Sequence, residues 1–382
     1  MLAESKRLML VLGFLALLVG VAYGNSLRNG FAFDDELLIV RNGLITKLET
    51  IPKLLVSDYW ITRRDPYGDP ASSSGLYRPL VHLTLAANYA LGGLNPSGYH
   101  VVNLVLHCLV TWLLYLIALQ LRFEPEAAAV AAVLFAVHPL HTEAVANVTG
   151  RGELLMALGV LGGLWCAMTG RRWWSLGAFG IGLFSKEQAL MLPALLLLYD
   201  ICLAKGTASP PQRTSHIARR TRLLAGLRAA AMRYGSYAAV LVGYLLVRRA
   251  ALGRFELPPT PMLDNPLTAL AGADRFFSTL KVDGLYLWLC VWPVRLSLDY
   301  SYDAIPAARS LLEPGVWGGL FGWGGLVGWM IWSFVRGDRR VTFSIGLTVL
   351  LFLPASNLVI LIGTILGERL FYLTSAGMCL LV

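Results

Sequence analysis

The sequence predicts an all-α, polytopic membrane helical bundle of about ten or eleven transmembrane helices, with a large first external loop. Three observations carry this. Hydrophobic residues make up 56% of the 382 positions and charged residues only 14%, outside the balance of soluble domains. Apolar runs recur along the chain rather than occurring once. Basic residues collect in particular loops, which assigns each loop to a side of the membrane.

The first run, Leu8 to Tyr23, follows Lys6 and Arg7. A signal peptide shares that layout, but no small-residue cleavage site follows and further spans do, so it reads as a retained helix with its N-terminus inside. Asn25 to about Tyr99 then lies outside. Residues 99–121 return to Arg122, 127–138 cross outward, and 154–169 come back to Arg171 and Arg172. Residues 173–184 reach the outer side, where Ser185 to Gln188 break the apolar pattern, and 189–204 lead to a basic loop. Between Lys205 and Arg233 there are seven basic residues and no acidic one. That loop reads as cytoplasmic, so the net charge of +9 does not call for a nucleic-acid partner.

A seventh span over 236–252 completes a core module, residues 1–252, of a single domain covering 1–382. Residues 281–296 are apolar but include Lys281, Asp283 and Pro293. A full span there would put Arg336, Arg339 and Arg340 outside, so a membrane-dipping segment within an external stretch, 253–315, is expected. Residues 315–335 and 341–354 then cross, Glu368 and Arg369 face outward, and a last helix starts at Leu370. Because Val382 falls inside an apolar run, the sequence is expected to be part of a longer chain. Runs such as 127–138 are shorter than the ~20 residues of a perpendicular span and are expected to tilt or to begin in the interface. The five cysteines lie singly in apolar segments, which suits packing and not a disulfide framework or a metal site.

The chemistry-bearing residues begin with Asp34, Asp35 and Glu36, directly after Phe33. Three adjacent carboxylates beside a bilayer repel one another and cost desolvation energy, which points to chemistry. The topology gathers on the same external side Arg78; His138, His141 and Glu143; Arg151 and Glu153; Lys186 and Glu187; and Glu368 and Arg369. Ionisable groups at span ends mark a site. Each also has a plain reading. Lys186 with Glu187, and Glu368 with Arg369, are equally readable as neighbours that neutralise one another, and Arg78 before Pro79 as a helix anchor. His138-x-x-His141-x-Glu143 has metal-ligating residue types, but Pro139 interrupts the helix that would align the imidazoles and HExxH is absent. No metal and no cofactor is therefore assigned, and a divalent ion is left open. Asn147-Val148-Thr149 reads as a plain loop segment, or as a glycosylation acceptor in a luminal setting. Arg248 and Arg249 follow the seventh span and sit outside, against the charge rule, which suggests a bound phosphate. Arg78, Lys186 and Arg369 are further candidates for it.

The stretches FDDE (33–36), YRPL (77–80), NYALGGLNPSGYHVVNLVLH (88–107), LFAVHPLHTEAVANVTGRGELL (134–155), SKEQ (185–188), LDNP (263–266), LSLDYS (296–301) and GERLFYLTSAG (367–377) together resemble the membrane portion of the transmembrane and tetratricopeptide-repeat-containing O-mannosyltransferases and their bacterial relatives. These are polytopic glycosyltransferases of the GT-C superfamily. The resemblance implies a GT-C type bundle that moves a sugar, mannose in the first place, from a dolichyl or undecaprenyl phosphate to Ser or Thr hydroxyls of a protein acceptor. It implies a single inverting displacement on the non-cytoplasmic face, in an endoplasmic reticulum membrane or a bacterial cytoplasmic membrane. The family places the base on the acidic motif of the first external loop. That makes Asp34 the base, with Asp35 positioning it or the acceptor, and the neighbouring charges are expected to raise the pKa of one carboxylate of the run. Glu36, His138, His141, Glu143, Glu187 and Glu368 are expected to furnish polar groups around the substrates, Glu36 pointing away from Asp34 if the loop is extended. The family's tetratricopeptide repeats have no counterpart in these residues. A transporter of a lipid-linked sugar, or a membrane-anchored scaffold, is the rival reading.

Overall fold

A computed structural model describes residues 2–62, 74–203, 216–253 and 260–381, the side chains of 2–4 and 216–227 excepted. Among the described residues there are eleven helices of eleven residues or more and no strand. In chain order they are α1 Leu2–Tyr23, α2 Pro79–Gly92, α3 Pro96–Gln120, α4 Pro125–Val137, α5 Arg151–Met168, α6 Arg172–Leu183, α7 Leu192–Cys202, α8 His216–Leu252, α9 Gly272–Val291, α10 Pro314–Arg336 and α11 Arg339–Phe352. Prolines set many of the starts: α2, α3, α4, α7 and α10 each carry one within their first two positions, where its missing N–H costs nothing. At the α10–α11 turn, Gly337 ends one helix in the left-handed region (φ 83°) and the Asp338 side chain accepts from Val341 N to start the next.

Five stretches are long and apolar enough to cross a membrane: 5–28, 96–120, 148–168, 228–252 and 314–336. A sixth would be the pair 125–137 and 139–145, bent by 49° at Pro139. The chain is a multi-pass membrane protein. The runs expected to cross at 173–184, 189–204 and 341–354 form helices of 12, 11 and 14 residues. At 1.5 Å per residue these reach roughly 16–21 Å, short of a ~30 Å hydrocarbon layer. Length and composition thus account for fewer full spans than the apolar runs promise. The dipping segment expected at 281–296 is the second half of α9, which begins earlier and ends at Val291. In place of a last helix from Leu370 there is a 3₁₀ turn, Glu368–Phe371, and a short helix, Ser375–Cys379. The basic loop from Lys205 lies largely outside the described residues; at its end Arg233 pairs with Asp200 at 2.8 Å.

The helices approach closely where glycines meet. A Cβ on Gly159 of α5 would stand 2.6 Å from the Gly182 amide nitrogen of α6, and one on Gly319 of α10 would stand 1.9 Å from the Leu280 carbonyl oxygen of α9. Without a hydrophobic drive between helices in lipid, such close backbone packing is what holds a bundle together. The main core, with Val110, Leu114, Val160, Leu161 and Leu164, is built around α3 and α5. A second core joins α9 to α11, where Trp323 stacks on Phe352 with ring centroids 4.4 Å apart. The outward faces of α1 and α10 expose Leu10, Leu17, Val21, Phe321, Trp332 and Val335, as lipid contact requires. All five cysteines are free thiols.

Candidate active site

The loop after α1 reverses at Phe33, whose φ of 51° is in the left-handed region. A bulky residue there costs roughly 1–3 kcal/mol, and such strain collects at functional positions. Asp35 N donates to Ala32 O at 3.0 Å and Glu36 N to Phe33 O at 3.1 Å, so the segment is a helical turn and not an extended one. The turn sends the three carboxylates apart. Asp34 keeps about a third of its side chain exposed (34%) and faces Arg369. Glu36 pairs on the surface with Arg41 at 3.0 Å.

Asp35 is only 1% exposed. Its Oδ1 accepts from Thr149 N at 3.0 Å and its Oδ2 from Ala32 N at 3.2 Å, which pins the first loop to the segment before α5. Burial pushes its carboxyl up to about 6, against the pull of those N–H donors, and the charge of Asp34 adds to the rise. At Asp35 burial outweighs neighbour repulsion as the cause of the rise. An acid whose folded pKa exceeds its unfolded value of about 3.9 contributes stability that is complete below about pH 4 and lost as pH rises through about 6. Thermal melts in detergent from pH 4 to 7 should show a fall in the parent protein that Asp35→Asn lacks. Identical pH profiles would contradict this assignment.

The cations converge from other elements. Arg78, at the start of α2, donates to Glu187 Oε2 from Nη2 at 2.9 Å and from Nε at 3.3 Å, and its guanidinium sits 4.9 Å from the centre of the Tyr59 ring. Lys186 bonds Glu153, both nearly buried. Arg369 Nη1 lies 3.4 Å from Asp34 Oδ2 and 3.3 Å from Glu143 Oε1, while its backbone N donates to Glu143 Oε2 at 2.8 Å. Neither sequence-adjacent pair neutralises itself. Lys186 is extended (φ −163°, ψ 145°) and Glu187 opens a 3₁₀ turn, so the two side chains leave in different directions. Burial holds the Lys186 ammonium below the ordinary lysine range, with Glu153 countering in part. Burial also pushes the Glu187 carboxyl up, but Arg78, a backbone hydrogen bond and Lys186 together hold the group below its usual value.

Two cavities meet at this network. The smaller, about 30 Å³, is lined by Asp34, Tyr59, Trp60, Arg78, Glu153 and Arg369 among others, and the buried Glu153 Oε2 there has no hydrogen-bond partner. The larger is a groove of about 460 Å³ between the first loop and residues 296–298, with Asp35, Glu143 and Glu368 in its wall. Glu368 Oε1 accepts from Ser297 N at 2.7 Å and from the Tyr300 hydroxyl at 2.8 Å, tying that second loop in place. Glu143 stands between the cavities, lining the groove while gripping Arg369.

Other expected residues lie elsewhere. His138 Nδ1 accepts from Leu140 N at 3.2 Å, which leaves Nε2 to donate to Cys290 O at 2.8 Å. His141 Nε2 lies 2.8 Å from Ser375 Oγ. With Glu143 on Arg369, the three side chains of that motif go to three different partners, and among the described residues no group of three His, Cys, Asp or Glu is placed to hold a metal ion. Arg248 is buried and donates to Gly75 O at 2.8 Å, and Arg249 beside it is exposed. Neither lines either cavity. Arg151 is fully buried and bonds only uncharged acceptors. Sequence reasoning missed Tyr59 and Trp60, for which an aromatic pair in a polar loop was the one signal, and it read Thr149 only as part of a loop or glycosylation segment. Ser297 and Tyr300 lay within the LSLDYS motif without an assigned role.

No family model matches the chain, and no solved structure matches it. Curated proteins do. The chain is 30% identical to "Protein O-mannosyl-transferase Tmtc1" of Drosophila melanogaster, over 94% of this chain and 50% of that protein. It is 30% identical to "Protein O-mannosyl-transferase TMTC4" of Homo sapiens, over 98% of this chain and 54% of that protein, and 29% identical to the human "Protein O-mannosyl-transferase TMTC3", over 96% and 42%. The chain thus spans about half the length of the curated relatives it matches. Over almost its whole length it is a homologue of the TMTC proteins named protein O-mannosyl-transferases, the relatives to which its motifs point.

Proposed function

We propose that this chain transfers a mannosyl group from a polyprenyl phosphate to a Ser or Thr hydroxyl of a protein, with Asp34 as the base. The observation that carries the reading is that Asp34, alone of the acidic triplet, opens on a cavity shared with two guanidinium groups, Arg78 and Arg369. The names of the relatives support the reaction class. In the step proposed, the acceptor oxygen attacks the anomeric carbon from the face opposite the phosphate. The bond from that carbon to the phosphate oxygen breaks with inversion, and Asp34 takes the hydroxyl proton. The electron pair leaves on the lipid phosphate, whose growing charge is met by Arg78, Lys186 and Arg369.

A cavity of about 30 Å³ has room for about one water, not for a phosphate. The donor therefore enters by exchange: phosphate oxygens take the place of Asp34 and Glu143 on Arg369. That exchange frees Asp34 at the moment the donor is seated, so the base is available only to a loaded site. Arg248 supports Arg78 through its bond to Gly75 O, three residues upstream, and the exposed Arg249 at the same helix end draws the anionic lipid in. In this reading the site faces the non-cytoplasmic side, in an endoplasmic reticulum membrane or a bacterial cytoplasmic membrane, and the animal origin of the relatives favours the first.

Purified protein given radiolabelled dolichyl-phosphate mannose and a Thr peptide is expected to label the peptide, and dolichyl-phosphate glucose is expected to fail. Labelling from the glucose donor alone, or from neither, would overturn the reading.

A further inference from the structure

We infer that the 460 Å³ groove holds the protein acceptor, and that it selects a segment carrying lysine or arginine beside the acceptor hydroxyl. This rests on the transferase reading above and names the substrate class of its second half. The groove is large enough for several side chains, about fifteen times the volume of the cation-rich cavity. Its charge has one sign: Asp35, Glu143 and Glu368 line it, and among the described residues none of the fourteen in its wall is lysine or arginine. Glu143 is already paired with Arg369, so the pull on a cation, and the repulsion of a lipid phosphate, fall chiefly on Glu368 and Asp35.

The groove is also apolar in part. Phe33 is 63% exposed and Leu298 52% exposed, with Phe31 nearby in the wall, and these surfaces suit the stem of a long basic side chain. Glu368 is 3% exposed, and both hydrogen bonds recorded for it fall on Oε1, from Ser297 N and Tyr300. Its Oε2 is left for an occupant. Position completes the case. Asp35 adjoins Asp34 in the chain, and Glu143 in the groove wall holds the same Arg369 that Asp34 faces, so a peptide in the groove lies next to the base and to the Arg369 that takes the phosphate. Burial raises the carboxyls of Asp35 (to about 6), Glu143 and Glu368; Asp34 adds to the rise at Asp35 and Glu143 to that at Glu368, while Arg369 opposes it at Glu143, so the preference should weaken as pH falls through about 6.

Binding tests the inference without turnover. The probes are two fluorescent nine-residue peptides centred on Thr, one with Lys two positions to either side and one with Glu there, titrated against the full chain with no donor present. The Lys peptide is expected to bind at least 10-fold tighter, and Glu368→Gln, which keeps the acceptor at Oε1, to shrink that ratio about 3-fold. Equal affinities, or tighter binding of the Glu peptide, would overturn it; so would competitive displacement of the Lys peptide by dolichyl phosphate, which would assign the groove to the donor. If Glu368→Gln does not fold, the two peptides on the unaltered chain decide alone. Failure of the transferase reading shows in the labelling assay, and failure of this one shows in peptide binding.

Discussion

Asp34→Asn is expected to lower mannosyl transfer by roughly 10²–10⁴-fold, the usual contribution of a general base. The amide keeps the shape of the carboxylate and can still accept a hydrogen bond, but it cannot take the proton from the acceptor hydroxyl. Folding should survive, because the Asp34 pair with Arg369 is long, at 3.4 Å, and part-exposed, and pairs of that kind are worth little. Glu36→Gln is the matched control. Its carboxylate pairs with Arg41 on the surface and lines neither cavity, so turnover should change less than about two-fold. Transfer assays on the two variants, at equal expression and equal melting temperature, read the difference. Full turnover by Asp34→Asn removes it as the base.

The largest effect on stability is expected at Arg151. This side chain is fully buried at the start of α5 and donates to Asn103 Oδ1 at 2.9 Å, Tyr99 O at 2.8 Å, Asn88 Oδ1 at 2.5 Å and Thr84 O at 3.3 Å. It fastens α2 and α3 to α5, directly behind the Thr149 that holds Asp35. Arg151→Met fills similar space but leaves those acceptors buried without a donor, at a cost of about 3–5 kcal/mol. Arg151→Lys keeps the charge but not the planar fork, and should fall between. Thermal unfolding in detergent orders the three proteins as parent, Lys, Met. A Met variant that melts with the parent would show that the four bonds contribute nothing net.

Arg151 also shows what a linear sequence withholds. Charge placement gathered it with the site residues on one face; its neighbours Gly152 and Glu153 line the small cavity, and Arg151 itself does not. What separates a binding arginine from a fastening one is which acceptors surround it, and those come from residues 84 to 103. The same limit applies to Lys186–Glu187 and Glu368–Arg369. Neighbours in a chain look like partners, yet Lys186 is extended and Glu187 opens a 3₁₀ turn, so they pair with Glu153 and Arg78, while Arg369 faces Asp34 and Glu143 and Glu368 accepts from Ser297 N and the Tyr300 hydroxyl. In the His138–Glu143 segment the chain bends at Pro139, and the three side chains reach Cys290, Ser375 and Arg369 in turn. The all-α, multi-pass class was legible because apolar runs and prolines act locally. The number of full spans was not, because an apolar run of 11–14 residues reads the same whether it crosses lipid or packs within a bundle.

In the proposed exchange, donor phosphate and Asp34 compete for Arg369. Equilibrium binding of dolichyl-phosphate mannose to the parent, Asp34→Asn and Arg369→Gln proteins tests it most directly. With the competing carboxylate neutralised, Asp34→Asn should bind the donor several-fold tighter than the parent while losing turnover. Arg369→Gln should bind it about 10–100-fold more weakly, the loss of a charge-assisted bond. Donor affinity that is the same in all three proteins would contradict the account.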